Sequence, residues 1–225
     1  MKVLVIDIET TGFDAKKDAI VEIGMVLVDT KELTKELIFD KIVLDANFSK
    51  ILHKDSWIFE NTNLTPEEVS SAETLESYRE ELQSLFNKYR VTAYNKPFDM
   101  RFMEARGFKI ETIKCLMDSC YNDYNIYGYN KYGSRKRPSA EEAYNIIFPD
   151  ADFVELHRGG DDALRESEIL LKLCEYKKIK DDSLDLITAK LQEKDPDFII
   201  EKLNKDVKFR TTIGDTGISY KLANK

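Results

Sequence analysis

Two acidic side chains end an apolar run near the start of the chain. Asp7 and Glu9 follow residues 3–6 (VLVI) and precede residues 10–12 (TTG). The apolar run predicts a buried strand, on which both carboxylates point to the same side with roughly 6–7 Å between their Cα atoms. Carboxylates that close repel each other, and a hard cation such as Mg²⁺ or Mn²⁺ would remove the repulsion. The spacing indicates a metal site, and a solvated strand end is the alternative for this motif alone.

Two later segments offer further carboxylates at predicted helix starts. Asp99 lies just inside a helix that follows a short strand, where a carboxylate complements the helix N-terminus with or without a metal. Asp162 opens a long helix, and His157 precedes it by five residues. Positions five apart diverge by about 140° on a helix, so His157 must lie on the loop before it. The two glycines between them favour a flexible loop that lets the imidazole move over a substrate. Helical geometry does not choose between Asp161 and Asp162.

The composition bounds the kind of protein. A chain of 225 residues suits one domain, or one domain with a small appendage. No apolar run approaches the length of a membrane span, and no signal-like segment precedes the first strand, so we expect a soluble, cytoplasmic protein. The three cysteines lack metal-site spacing and are predicted to be reduced. The formal net charge of −8 argues against coating of nucleic acid by bulk electrostatics. A polyanionic substrate would need metals or a local basic patch.

The spacing of apolar residues predicts an α/β protein whose chain begins with an antiparallel meander of three strands. The predicted strands are residues 3–10, 19–29, 36–44, 91–94 and 114–118. One predicted helix begins at residue 66, and four others cover residues 74–89, 97–106, 139–148 and 161–177. Residues 45–64 and 121–138 are predicted loops. Thr65 and Ser139 are predicted N-caps, the latter in a capping box with Glu142.

The composition shifts near residue 177 to KKIKDDSLD, which predicts a domain edge. We therefore expect a main domain over residues 1–178 and a small appendage over residues 179–225. The appendage should contain helix over residues 183–207, broken at Asp195-Pro196, and two short strands within residues 209–222. No recognisable chemistry lies in this tail.

Three motifs in this order, DIETTG (residues 7–12), YNKPFD (94–99) and HRGGDD (157–162), resemble the DEDDh family of 3′→5′ exonucleases. This family includes the bacterial polymerase proofreading subunits and ribonuclease T. The resemblance covers roughly residues 1–178. It implies a ribonuclease H-like fold, a mixed β-sheet flanked by helices, with the C-terminal helical and hairpin appendage outside it. The family's four acidic ligands fall on Asp7, Glu9, Asp99 and Asp162, and its catalytic histidine falls on His157.

The resemblance also implies a mechanism. Two divalent cations, Mg²⁺ or Mn²⁺, would lie roughly 3.5–4 Å apart at the scissile phosphate. Asp7 would bridge both ions, Glu9 and Asp162 would hold the ion that carries the water, Asp99 would hold the other, and His157 would take the proton. The expected activity is release of nucleoside 5′-monophosphates from a 3′ end, with DNA favoured. The alternatives are an oligoribonuclease-type enzyme acting on short RNA and a non-catalytic nucleic-acid-binding or adaptor protein.

Further residues are candidates for substrate binding. Thr10, Thr11 and Gly12 could approach the terminal nucleotide, although turn geometry explains the threonines equally well. Asn95 and Phe98 match the family's middle motif. The loop over residues 121–138 combines tyrosines with a basic cluster that could hold a single strand by stacking and phosphate contact, or could be a solvated turn. The candidate cations of this cluster are Arg135, Lys136 and Arg137. The expected partner is nucleic acid with a 3′ end, single-stranded DNA before RNA, with no membrane and with any polymerase or repair partner unknown.

Overall fold

The computed structural model describes residues 1–192, 209–214 and 217–222, with side chains described as far as residue 177. The chain forms two compact units, residues 1–172 and residues 173–225. A long helix, α8 (Gly159–Gln192), runs through the point where the two units meet in the sequence. The domain boundary expected at residue 178 lies within this helix and stays a prediction.

The first unit contains a mixed four-stranded sheet. Its strands are β1 (Lys2–Thr10), β2 (Ile20–Asp29), β3 (Thr34–Ile42) and β4 (Arg90–Thr92), in the order β3-β2-β1-β4. The first three strands are antiparallel neighbours, and β4 lies parallel to β1. The predicted antiparallel meander is confirmed, and with the flanking helices it gives the expected α/β fold of the ribonuclease H-like type.

Both β1 and β2 are buried along most of their length. Strands covered on both faces are apolar almost without interruption, which explains why their sequences show little alternation. The larger core cluster joins β1 and β2 to the helices directly before and after β4, and includes Leu4, Ile6, Ile23, Met25 and Phe102. A second cluster is formed by Ala19, Val21, Ile58, Leu64 and Val69.

Seven α-helices precede α8 in the described chain. They are α1 (Lys50–His53), α2 (Trp57–Asn61), α3 (Pro66–Ser71), α4 (Arg79–Lys88), α5 (Lys96–Ala105), α6 (Leu116–Asp123) and α7 (Ala140–Ile147). Thr65 and Ser139 cap α3 and α7, each in a capping box, which confirms both predicted caps. The segment predicted as loop over residues 45–64 contains α1 and α2. The helix predicted over residues 74–89 is divided into a 3₁₀ turn, Leu75–Tyr78, and α4.

The strand predicted over residues 114–118 is wrong, because α6 begins at Leu116. The backbone N–H groups of Leu116 and Met117 donate to the carbonyls of Ala93 and Tyr94, at 3.2 and 3.0 Å. These carbonyls follow the end of β4, so the chain turns into a helix there instead of extending the sheet. The loop after α6 also contains a short hairpin, in which the two-residue strands β5 (Gly128–Tyr129) and β6 (Arg135–Lys136) are antiparallel.

The second unit contains part of α8 and an antiparallel hairpin of β7 (Phe209–Gly214) with β8 (Gly217–Leu222). This confirms the two strands predicted at the end of the chain. The predicted helix break at Asp195-Pro196 lies outside the described residues. Within the part of the chain that the structure describes, no helix has both the length and the apolar character to cross a membrane.

Candidate active site

Asp7 and Glu9 lie near the C-terminal end of β1, opposite Gly24 and Glu22 of β2. Burial raises the pKa of Asp7 well above its usual value, and the negative charges of Glu166 and Glu9 raise it further. Burial also raises the pKa of Glu9, with Asp162 as the next cause. Ionised carboxylates are disfavoured here in the absence of a cation.

Asp99 joins these two residues from the first turn of α5. Its side chain is buried. Burial raises the pKa of Asp99 to about 8, although its own backbone N–H and that of Ile8, the residue between Asp7 and Glu9 on β1, lower it. The third carboxylate therefore lies beside the strand that carries the first two.

Asp162 lies in the first turn of α8 and is buried, whereas its neighbour Asp161 is exposed. This difference selects Asp162 as the residue that can face the site. One of its oxygens accepts the backbone N–H of Arg158 at 2.9 Å, and the other is buried without a hydrogen-bond partner. His157 lies on the loop before α8, as predicted. Glu9, His157 and Asp162 each offer one ligand atom, and the three atoms lie within 4.8 Å of one another.

The glycines after His157 have a different role from the one expected. Gly159 and Gly160 are buried and form the first residues of α8. A Cβ added at Gly24 of β2 would overlap the carbonyl of Gly159, and one added at Gly159 would lie 2.8 Å from the backbone nitrogen of Gly24. The glycines allow the helix start to pack directly on the sheet. The prediction of a flexible loop at these two positions is therefore wrong.

Two carboxylates of the site were missed by sequence reasoning. Glu166 is buried on α8 and accepts the backbone N–H of Tyr94 at 3.0 Å, and burial followed by the charge of Asp99 raises its pKa. Because residues four apart share a helix face, its spacing from Asp162 could have identified it. Glu155 lies on the loop before His157, where burial raises its pKa to about 7. No sequence signal marks Glu155.

The residues predicted to approach a terminal nucleotide lie in the turn after β1 and at the start of α5. The hydroxyl of Thr10 donates to the Gly12 carbonyl at 2.8 Å, and the buried hydroxyl of Thr11 accepts the Ala19 N–H at 2.9 Å. Both threonines therefore have roles in the turn itself. Asn95 is exposed where α5 begins, as the N-cap residue.

Phe98, the other candidate from the middle motif, is half-buried on α5. The centroid of its ring lies 5.1 Å from that of Phe102 and 6.2 Å from that of the exposed Phe13. One side of Phe98 thus belongs to the core cluster, and Phe13 extends the aromatic surface outwards.

The basic cluster lies on the β5–β6 hairpin and the residue after it. The Arg135 guanidinium stacks on the Tyr127 ring at 4.1 Å. Lys136 forms an ion pair with Glu142 at 2.6 Å, and Arg137 forms one with Asp118 at 2.9 Å. Protein carboxylates therefore pair with two of the three predicted phosphate-binding cations.

The donor set fits a divalent metal. Among the residues whose side chains are described, the buried side-chain oxygens that lack a partner are Oδ2 of Asp7 and Oδ1 of Asp162. Buried polar atoms almost always have partners, so these two oxygens are suited to bind a cation. Oxygen ligands with one imidazole nearby suit Mg²⁺ or Mn²⁺ better than a soft metal.

Comparison with known proteins gives the family of the chain. The family model RNase_T, described as exonuclease, matches residues 4–170. No curated protein sequence matches the chain significantly. The nuclease domain of 3′hExo, described as a DEDDh family member bound to rAMP, is 17% identical with a TM-score of 0.57, covering 77% of this chain and 92% of its own.

Exonuclease I of E. coli in complex with a dA16 oligonucleotide is 16% identical with a TM-score of 0.59. The likeness covers 84% of this chain and 45% of that one, so the chain spans less than half of Exonuclease I. At these identities the structural likeness shows the fold alone. The family match extends over most of the chain and contains all five residues of the predicted site. The chain belongs to the RNase_T family of exonucleases, in keeping with the resemblance of its three motifs to the DEDDh 3′→5′ exonucleases.

Proposed function

We propose that the chain is a metal-dependent 3′→5′ exonuclease that releases nucleoside 5′-monophosphates, with single-stranded DNA as its favoured substrate. The observation that carries this proposal is the convergence of Glu9, His157 and Asp162 within 4.8 Å, beside buried oxygens of Asp7 and Asp162 that have no partner. An imidazole beside carboxylates without partners is suited to metal-assisted hydrolysis of a phosphodiester.

Each residue of the site has a proposed role. Asp7, Glu9, Asp99 and Asp162 would hold two Mg²⁺ or Mn²⁺ ions, which when bound neutralise the scissile phosphate and make water a better nucleophile. A ring nitrogen of His157 accepts the proton of the attacking water. The new P–O bond forms as the bond to the 3′ oxygen of the preceding nucleotide breaks, which leaves a 5′-monophosphate.

Substrate binding would use the turn after β1 and the start of α5. Both segments adjoin the candidate ligands, since Thr10, Thr11 and Gly12 follow Glu9, and Asn95 and Phe98 precede Asp99. Backbone groups of this turn can approach a sugar or base closely. The half-buried ring of Phe98 offers a surface for a nucleobase.

A second candidate function is hydrolysis of short oligonucleotides, including short RNA. The observation that favours it is the pairing of Lys136 with Glu142 and of Arg137 with Asp118, which leaves less positive charge for a long strand. A protein with a net charge of −8 gains little from bulk attraction to phosphates. Substrates of a few nucleotides would lose least from this shortage.

The experiment compares end-labelled single-stranded DNA, duplex DNA, long RNA and an RNA dinucleotide in parallel, with Mg²⁺ or Mn²⁺. The Asp7→Asn protein, purified in the same way, controls for contaminating nucleases. Faster release of 5′-monophosphates from single-stranded DNA than from either RNA supports the main proposal, and a preference for the RNA dinucleotide supports the second. Binding of these substrates without cleavage would instead indicate a non-catalytic protein. A cytoplasmic location remains a prediction for which fractionation of the source cells is the test.

A further inference from the structure

The aromatic ring of Trp57 contacts that of His157 and belongs to none of the residues assigned above to metal binding or proton transfer. The two rings meet edge to face, with centroids 4.7 Å apart and planes at 89°. Trp57 is the single tryptophan of the chain. It is the first residue of α2 and lies a hundred positions before the loop of His157. Two segments that are distant in sequence therefore meet at the proposed general base.

The backbone around His157 is held firmly, but its ring is not. His157 has a φ of 52°, a left-handed conformation that is unfavourable for residues other than glycine. The backbone N–H of the next residue, Arg158, donates to the Asp162 carboxylate at 2.9 Å. Within residues 1–177, no hydrogen bond or ion pair holds the imidazole, and its ring contact is with Trp57.

Trp57 is not placed there by burial of its own side chain. The indole is 53% exposed, whereas Ile58, the next residue of α2, is only 1% exposed and packs in the smaller core cluster with Val21 and Leu64. Ile58 thus anchors α2 to the sheet. With α2 fixed in this way, the indole extends towards the site and meets the imidazole.

We propose that Trp57 is a positioning residue for the reaction. Its indole holds the His157 ring in the orientation that keeps a ring nitrogen beside Glu9 and Asp162. An imidazole without this support samples other rotamers and spends less time where it can accept a proton from the attacking water. The inference rests on the proposed function of His157 as the general base, and it adds a residue that lies outside the three motifs.

The test is a double-mutant cycle with Trp57→Ala, Trp57→Phe and His157→Ala, measured with a short single-stranded oligonucleotide. Trp57→Ala should lower kcat by about threefold to tenfold, the factor that corresponds to loss of an edge-to-face pair, and should leave KM within about twofold. Trp57→Phe should retain most of the activity because phenylalanine keeps an aromatic face. In the His157→Ala background, Trp57→Ala should cause no further loss.

Ile51→Ala is a matched control, because Ile51 lies on α1 and is 83% exposed. This variant should keep the wild-type kcat. Mn²⁺ affinity from calorimetry should be the same for wild type and Trp57→Ala, since the indole acts on the base and not on the carboxylates. Three outcomes would overturn the proposal: an unchanged kcat in Trp57→Ala, an equal loss in the His157→Ala background, or a change confined to KM, which would indicate direct contact with the substrate.

Fluorescence tests the contact separately from activity. With a single tryptophan, the emission of the metal-free protein reports on the surroundings of the indole, and His157→Ala should change its intensity while Ile51→Ala should not. Identical emission from wild type and His157→Ala would show that the contact is absent in solution and would overturn the positioning role. Wild-type turnover by His157→Ala, together with altered emission, would instead refute the proposed function of His157 as the base.

Discussion

The guanidinium of Arg158 forms a bidentate ion pair with the carboxylate of Glu22, with Nη2 2.7 Å from Oε1 and Nε 2.9 Å from Oε2. Glu22 is buried on β2 directly opposite Glu9 of β1. The backbone N–H of Gly159 donates to the same carboxylate at 3.2 Å. Because Arg158 follows His157 in the chain, this pair fixes the histidine loop to the strand beside the candidate ligands.

Removal of Arg158 should therefore weaken both the fold and the site. In Arg158→Ala the Glu22 carboxylate remains buried without its cation, so we expect the free energy of unfolding to fall by about 3 kcal/mol. Urea denaturation measures the change. Lys17→Ala is the control, since Lys17 pairs with Asp14 at 3.3 Å in an exposed position and such pairs contribute little. Equal unfolding midpoints for the two variants would show that the Arg158–Glu22 pair does not hold the loop.

Replacement of Asp7 should separate metal binding from folding. Asp7→Asn should lose detectable turnover and measurable Mn²⁺ binding in calorimetry, because one of the two unpartnered buried oxygens belongs to this carboxylate. The metal-free variant should melt at the same or a higher temperature than the wild type, since one of several repelling buried carboxylates is gone. The exposed Asp161 provides the matched variant, Asp161→Asn, which should keep activity and Mn²⁺ binding. Full activity of Asp7→Asn with excess Mn²⁺ would contradict the site.

The stability of the metal-free protein should depend on pH through Asp99. Burial raises its pKa from 3.8 to about 8 in the folded state, so the folded protein binds a proton that the unfolded chain releases. The contribution of this group to stability is complete below about pH 4 and is lost as the pH rises to about 8. Melting temperatures in EDTA should fall over this interval, and less steeply for Asp99→Asn. Parallel curves for the two proteins would mean that Asp99 does not titrate in this range.

The close approach of β2 and α8 predicts that Gly24 tolerates no side chain. A Cβ at Gly24 would overlap the backbone of Gly159, so Gly24→Ala must displace the start of α8 and should lower the free energy of unfolding by about 3 kcal/mol. Activity should fall as well, because His157 and Asp162 lie on either side of this point. Gly133→Ala provides a comparison, as Gly133 has open space around it but a φ of 76°, which predicts a loss of about 1 kcal/mol. A variant Gly24→Ala as stable as Gly133→Ala would contradict the packing argument.

The main elements of the site followed from local rules. The placement of Asp7 and Glu9 follows from alternation along one strand, and that of Asp99 from a carboxylate position at a helix start. The choice of Asp162 over Asp161 needed the family spacing, because both residues lie in the first turn of α8, and the structure then showed that only Asp162 is buried. In each case the deciding residues lie a few positions apart in the chain.

The features that were not predicted from the sequence are contacts between distant segments. Arg158 pairs with Glu22, which lies 136 positions earlier in the sequence. Trp57 and His157 are in contact although they too are far apart in the sequence. The glycines after His157 suggested flexibility because a sequence shows only their lack of a side chain. Only the contact of Gly159 with Gly24 of β2 shows that these glycines allow close packing. The spacing of apolar residues within a segment does not predict which distant residue that segment contacts.

The basic hairpin provides the last prediction, which concerns how an acidic protein holds a strand. Replacement of Arg135, Lys136 and Arg137 together by alanine should lower kcat/KM for a long single strand and flatten its dependence on salt, because fewer counterions are released on binding. A dinucleotide should be hydrolysed at nearly the wild-type rate. Arg135 should account for most of the effect, since Lys136 and Arg137 already pair with Glu142 and Asp118.

The measurement is the ratio of kcat/KM for a long strand to that for a dinucleotide, at low and moderate salt, in wild type, the triple variant and Arg135→Ala. Damage to the active site would lower both rates alike and leave the ratio unchanged, so the ratio isolates the holding of the strand. A charge-preserving control is Arg135→Lys, which keeps the cation but loses the planar stacking on Tyr127. If Arg135→Lys behaves as wild type, charge alone holds the strand, and if it behaves as Arg135→Ala, the stacked guanidinium is required. The same ratio and the same salt response in all four proteins would mean that the hairpin is a solvated turn and that the strand binds elsewhere.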